Sequence, residues 1–206
     1  MKASFNTIIV FLCFLAFGFI PNPAVQAHPH VFVTNQLTVI FNKAGLAGIR
    51  VKWVFDDMTS AMIAGDFDRN RDGRFDKDEG AAIGEAILEV LAEQSYYCWI
   101  KIEGRPFIVE WVKNFWAELN DGSVTYQFDI PCHVKAGKTP KEFRIGVYDK
   151  SYYTDFYYPR DDPVLFEGIE GHEILEPRLA RNKKEAYYGG QIYPLELIFI
   201  FHNKNS

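Results

Sequence analysis

The sequence predicts an α+β fold that is mainly β: an antiparallel β-sandwich interrupted by one helix–loop–helix. Three observations point there. Aromatic residues make up 16% of the 206-residue chain, and aromatic and β-branched side chains suit a pleated, half-buried surface. Apolar and polar residues alternate over several short runs, which Gly-, Asn- and Asp-containing turn signals separate. Between residues 56 and 95 the apolar period lengthens from two residues to that of a helix.

The chain starts with Lys2 and an apolar run, Ile8 to Ile20 (IIVFLCFLAFGFI). Pro21 and Pro23 break the run, and Val25 and Ala27 place small residues at −3 and −1 of a signal-peptidase site. The run is short for a membrane span. The expectation is a signal peptide over 1–27, cleaved after Ala27, and one periplasmic domain over 28–206 with its insertion at about 56–95. The formal net charge is −5 with no basic block, so nucleic acid is not an expected partner.

HVFVTNQLTVIF (30–41) and IRVKWVF (49–55) read as strands joined through the turn NKAGLAG. Residues 56–67 carry Met58, Met62, Ile63 and Phe67 at helical spacing, and 77–94 carry Ile83, Ile87, Val90 and Leu91. Asp56 and Asp57 stand where a helix N-cap belongs; either could instead complete a metal site. Strands resume as 96–104, 106–120, 123–134 and 142–149, with EGR and NDG as turns. Residues 161–190, rich in polar residues and broken by Pro and Gly, read as loop with a short helix, and 193–203 as the last strand. Cys98 and Cys132 would both survive cleavage. In an exported protein such a pair suggests a disulfide, with buried thiols, or Cys132 and His133 as soft metal ligands, as the alternatives.

The segment between the helices, DRNRDGRFDKDE (68–79), has the spacing of an EF-hand calcium loop. Asp68, Asn70 and Asp72 offer oxygens at positions 1, 3 and 5, and Gly73 permits the sharp turn at position 6. Arg74 offers its carbonyl, Asp76 can bind through water, and Glu79 can bind with both oxygens. Calcium is a hard ion that takes six to eight oxygen ligands, which this order of residues supplies. No second loop of this kind accompanies it, so a structural clip is expected rather than a sensor.

At the expected new terminus stand His28 and His30. A free α-amine, with a pKa of about 7.7–8.0, and the His28 imidazole together form a chelate. Residues i and i+2 of a strand share a face, so His30 can add a second ring. Pro29 has no N–H and so disfavours a square-planar peptide chelate. Nitrogen ligands of this kind suit nickel, cobalt, zinc or copper. His133, His172 and His202 are isolated, and Tyr152, Tyr153, Phe156, Tyr157 and Tyr158 form either packing or a binding face.

HPHVFV (28–33), WVFDD (53–57), the loop within 66–79 and VYDKSYYTDF (147–156) together resemble a bacterial periplasmic family, domain of unknown function 1007. That family is labelled the periplasmic component of an uncharacterised transport system. Lys150 stands where the family's tyrosine motif usually has proline. The resemblance implies an exported protein that works beside a metal permease or another membrane transport component. The expected function is therefore a non-enzymatic, periplasmic metal-binding accessory protein of nickel-, cobalt- or zinc-type transport, with structural calcium. A copper oxidative enzyme built on the terminal histidine, or a calcium-stabilised adaptor without transition metal, are the alternatives. No nucleotide loop, serine elbow or dinucleotide fingerprint occurs.

Overall fold

The computed structural model describes residues 29–204. The chain runs β1 (Val31–Asn42), β2 (Gly45–Phe55), α1 (Asp57–Phe67), α2 (Lys77–Glu93), β3 (Cys98–Ile102), β4 (Arg105–Phe107), β5 (Lys113–Asn120), β6 (Ser123–Lys135), β7 (Lys141–Val147), β8 (Thr154–Tyr157), β9 (Val164–Glu167), β10 (His172–Arg181) and β11 (Leu195–Asn203). The first sheet has the order β5-β6-β2-β1-β8, with β9 pairing further along β1; the second has the order β10-β11-β7-β3-β4. The mainly β expectation is met. The β8 and β9 pairings to β1 are parallel, so the first sheet is mixed rather than wholly antiparallel.

Alternation builds the core. On β1, Val33, Asn35, Leu37, Val39 and Phe41 all point inward and are buried. The four apolar ones meet Trp53 and Val51 of β2, Phe128 and Ile130 of β6, and Phe143, Ile145, Phe199 and Phe201 of the second sheet in one apolar cluster. Trp53 meets the Phe128 ring edge-on at 5.0 Å, a favoured aromatic geometry. Its indole N–H donates to Asn35 Oδ1 at 3.2 Å, which explains a polar residue on the inner face of β1. Two tight hairpins use Glu103-Gly104 and Asp121-Gly122, all at positive φ, the backbone that two-residue hairpin loops demand.

Four expectations need correction. The run 106–120 is not one strand. It divides into β4 in the second sheet and β5 in the first, and residues 108–112 carry the chain between layers. The stretch 161–190 holds strands β9 and β10 and no helix; ladder partners β1 and β11 override its weak local pattern. On α1 the methionines face outward, Met58 being 62% and Met62 63% exposed. The inner face is Thr59, Ser60, Ile63, Ala64 and Phe67, because the Ser60 hydroxyl accepts from Val124 N–H of β6 at 3.0 Å. Finally, Cys98 and Cys132 form no bridge: both thiols are free and buried. Burial pushes the Cys98 thiol well above the ordinary range, helped by the neighbouring Cys132, and pushes Cys132 up to about 12.

The helices sit on the first sheet, α1 against β6 and α2 against β5. Each has a built start. Asp56 caps α1, and Asp76 with Glu79 forms a reciprocal capping box on α2. Among the described residues no helix is long and apolar enough to cross a membrane.

Candidate metal-binding sites

His30 lies just ahead of β1. Its backbone N–H donates to the Tyr153 carbonyl at 2.9 Å, and its ring centroid is 5.1 Å from that of Tyr153. The imidazole is exposed. His28, its expected partner, and the whole expected leader lie outside the described residues.

Two carboxylates frame this end of β1, and both are committed to backbone. Asp56 Oδ1 accepts from Thr59 N–H at 2.9 Å, and Oδ2 accepts from the Thr59 hydroxyl at 2.8 Å and from Phe32 N–H at 2.9 Å. Partial burial pushes its pKa up, but the Phe32 and Thr59 donors outweigh that and hold the carboxyl below its ordinary value. The residue therefore ties β1 to the start of α1. Asp149 folds its own loop in the same way. It accepts from Ser151 N–H at 2.8 Å, the Ser151 hydroxyl at 2.7 Å and Thr154 N–H at 3.0 Å. That loop places Tyr153 beside His30. Asp57, on the first turn of α1, is exposed.

The 68–79 segment is organised by its own side chains. Asp68 Oδ2 accepts from Gly73 N–H at 3.0 Å and its Oδ1 from Asp72 N–H at 3.2 Å. Asn70 Oδ1 also accepts from Asp72 N–H, at 2.9 Å, and Asp72 Oδ1 accepts from Arg74 N–H at 3.0 Å. Gly73 has φ +79°, a left-handed backbone that glycine adopts without strain. Asp76 Oδ1 accepts from the N–H groups of Asp78 and Glu79. Glu79, only 4% exposed, closes the loop: one oxygen accepts from Arg69 N–H at 2.8 Å and the other from Asp76 N–H at 3.0 Å. Oxygen donors thus occur in the expected order along a loop between two helices. Among the described residues, no group of three or more His, Cys, Asp or Glu side chains converges as an ion site; here the carboxylates turn toward backbone N–H groups.

Of the remaining histidines, His133 is exposed beside Cys132, and the other two hold structure. His172 is buried, with Nε2 2.7 Å from the Asn42 carbonyl. His202 Nδ1 lies 2.9 Å from the Asn203 carbonyl and Nε2 3.4 Å from Glu173. Of the tyrosine group, Phe156 packs on Trp53 at 5.2 Å and Tyr158 is partly buried against the core, whereas Tyr153 and Tyr157 are about half exposed, at 56% and 48%.

The sequence profile of the family described as "Protein of unknown function (DUF1007)" matches residues 12–191. The chain belongs to this family. An uncharacterized protein of Haemophilus influenzae is 25% identical to it over 185 residues, covering 84% of this chain and 82% of that protein. An "Uncharacterized 15.5 kDa protein in trpE 3'region" of Spirochaeta aurantia is 26% identical over 130 residues, covering 63% of this chain and 91% of that protein. Among solved structures, "Capitella teleta AChBP in complex with lobeline" superposes with a TM-score of 0.39 at 14% identity, covering 95% of this chain and 93% of that one.

One cluster in this DUF1007 chain escapes a reading by motif. Trp99, Tyr148, Tyr187 and Lys150 meet on the outer face of the second sheet. The available signal was alternation: Cys98 and Ile100 point inward, which turns Trp99 and Lys101 to the opposite face.

Proposed function

We propose that the protein is an exported, periplasmic metal-binding accessory protein that serves a transition-metal transport system. His28 and His30 are its transition-metal ligands, and calcium in the 68–79 loop is its structural ion. The observation that carries the reading is the setting of His30. Its backbone is pinned to Tyr153 while its ring faces solvent, two residues after the position where cleavage would free an amine. A terminal amine and two imidazoles suit nickel, cobalt, zinc or copper. A site with few protein ligands leaves open positions, which suits exchange with a membrane partner.

For calcium, the fit lies in the donor set. Asp68, Asn70, Asp72, Asp76 and Glu79 would hold the ion with their side chains and Arg74 with its carbonyl, and Glu79 is already buried where the loop closes. The ion would supply charge neutralisation and a clamp between α1 and α2. A site of the extracellular affinity class, with Kd about 10⁻⁴–10⁻³ M, would raise stability by roughly 1.4–2.7 kcal/mol at ten to a hundred times its Kd.

The test is mass spectrometry of the exported protein with its metals retained, followed by metal titration of wild type and a His28→Ala/His30→Ala double variant. A first residue at 28, one bound transition metal and loss of that metal in the double variant support the reading. Equal nickel, cobalt, zinc and copper affinities for both proteins refute it and leave the calcium-only adaptor. Oxygen-dependent peroxide production by the copper-loaded protein points instead to the oxidative enzyme. A calcium-dependent rise in melting temperature that survives Glu79→Gln refutes the loop assignment.

A further inference from the structure

A second feature of the molecule lies where Lys150 reaches over Trp99 of β3. The outer face of the second sheet and the 184–188 segment enclose a cleft of about 640 Å³, within the usual range of small-molecule sites. Its walls are aromatic. Tyr148 lies 5.7 Å from Trp99 and 4.7 Å from Tyr187 between ring centroids, and Tyr152 lies 5.2 Å from Tyr188 on its outer side. Gly146 makes this possible, because a Cβ there would stand 3.1 Å from the Tyr148 ring.

The charged side chains that line the cleft are Lys101, Lys150 and Lys184 against Glu185. Lys101 is neutralised by Glu185, with which it forms an ion pair. Lys150 places its ammonium 3.4 Å from the centroid of the Trp99 ring, and Lys184 lines the same cleft. Among the described residues neither Lys150 nor Lys184 has an ion-paired carboxylate. Further acids stand outside the lining: Asp149 accepts from Ser151 and Thr154, and Glu196 accepts from Asn182 at 2.8 Å and lies 3.8 Å from Arg144. Asp155 stands between the Arg181 charge and the rings of Tyr152 and Tyr187.

We propose that this cleft binds a small anion with a flat ring, of the aromatic carboxylate class. The aromatic wall of Trp99 and Tyr187, backed by the buried Tyr148, packs against the ligand's ring. The ammonium groups of Lys150 and Lys184 take its carboxylate in charge-assisted hydrogen bonds. A cationic ligand is disfavoured, because Lys150 already covers the Trp99 face and two uncompensated ammonium groups repel it. A neutral ring would use the walls but leave the lysines unread.

The experiment is calorimetric titration of the full protein with calcium present and transition metals removed, so that its outcome does not depend on the histidine reading. The probes are 4-hydroxybenzoate, neutral 4-hydroxybenzamide, cationic tyramine, and acetate as a charge without a ring. The acid is expected to bind, the amide roughly tenfold more weakly given two exposed charge contacts, and acetate and tyramine not measurably. A Lys150→Ala/Lys184→Ala double variant, altered only at exposed positions, should hold the acid no better than the amide. Trp99→Leu should weaken both. Equal affinity for acid and amide, preference for tyramine, absence of acid binding at millimolar concentration, or an unchanged double variant would each overturn the proposal.

Discussion

Replacing Asp56 with alanine should loosen the joint between the first strand and the helical insertion. Three donors meet that carboxylate: Thr59 N–H, the Thr59 hydroxyl and Phe32 N–H. Loss of an N-cap destabilises by about 1 kcal/mol. The Phe32 amide loses a charged acceptor, a bond of about 1.5–3 kcal/mol when buried. Phe32 is 43% exposed, so water replaces much of that bond, and about 1 kcal/mol is the appropriate figure. The total is about 2 kcal/mol, or roughly a 4–8 °C fall in Tm for a domain of this size. Asp56→Asn keeps a capping oxygen but lacks the second acceptor for Phe32, so about half the effect should remain. Because the folded carboxyl titrates below its unfolded value of about 3.9, its contribution is complete above that pH. It disappears as the pH falls through the folded pKa. Urea unfolding of wild type and both variants at pH 7 and at pH 3 measures this. An alanine variant within 0.5 kcal/mol of wild type at pH 7, by the usual resolution of surface changes of about that size, or a gap that does not narrow at pH 3, would refute the reasoning.

Other expectations follow from the same geometry. Iodoacetamide at pH 8 should leave Cys98 and Cys132 unmodified in the native protein and alkylate both in denaturant, because burial raises both thiols, Cys132 to about 12, and only the thiolate reacts; stoichiometric native labelling would contradict this. Phe128→Ala should destabilise by about 3–5 kcal/mol in urea unfolding, since its ring is fully buried and packs edge-on against Trp53. Gly45→Ala should cost at least about 2 kcal/mol by the same assay, because the residue sits at φ +140° and an added Cβ would collide with the Val134 carbonyl and Ala136 N–H. A value near zero at either position would mean that the β2–β6 contact is not as close as described.

Much of the secondary structure was legible along the chain because its signals are local. Alternation from Val33 to Phe41 marks the inner face of β1, Gly104 and Gly122 mark hairpins, and the spacing of Ile83, Ile87 and Leu91 marks the second helix. The errors came where a partner decides. Residues 164–167 and 172–181 are strands only because β1 and β11 offer ladder edges. The outward turn of Met58 and Met62 follows from Ser60 reaching Val124 across to β6.

By itself the sequence determined that this is a mainly β chain with one helix–loop–helix, that oxygen donors recur at a calcium spacing, and that two histidines flank Pro29. Those are properties of neighbours along the backbone, where spacing alone sets which side chains share a face. Only the tertiary structure decided that Asp56 ties β1 to α1, that Cys98 and Cys132 are unbridged thiols, and that Trp99, Tyr148, Lys150 and Tyr187 meet in one cleft. Each of these joins segments far apart in sequence. Their meeting is set by sheet order and register, which emerge only when the whole core packs.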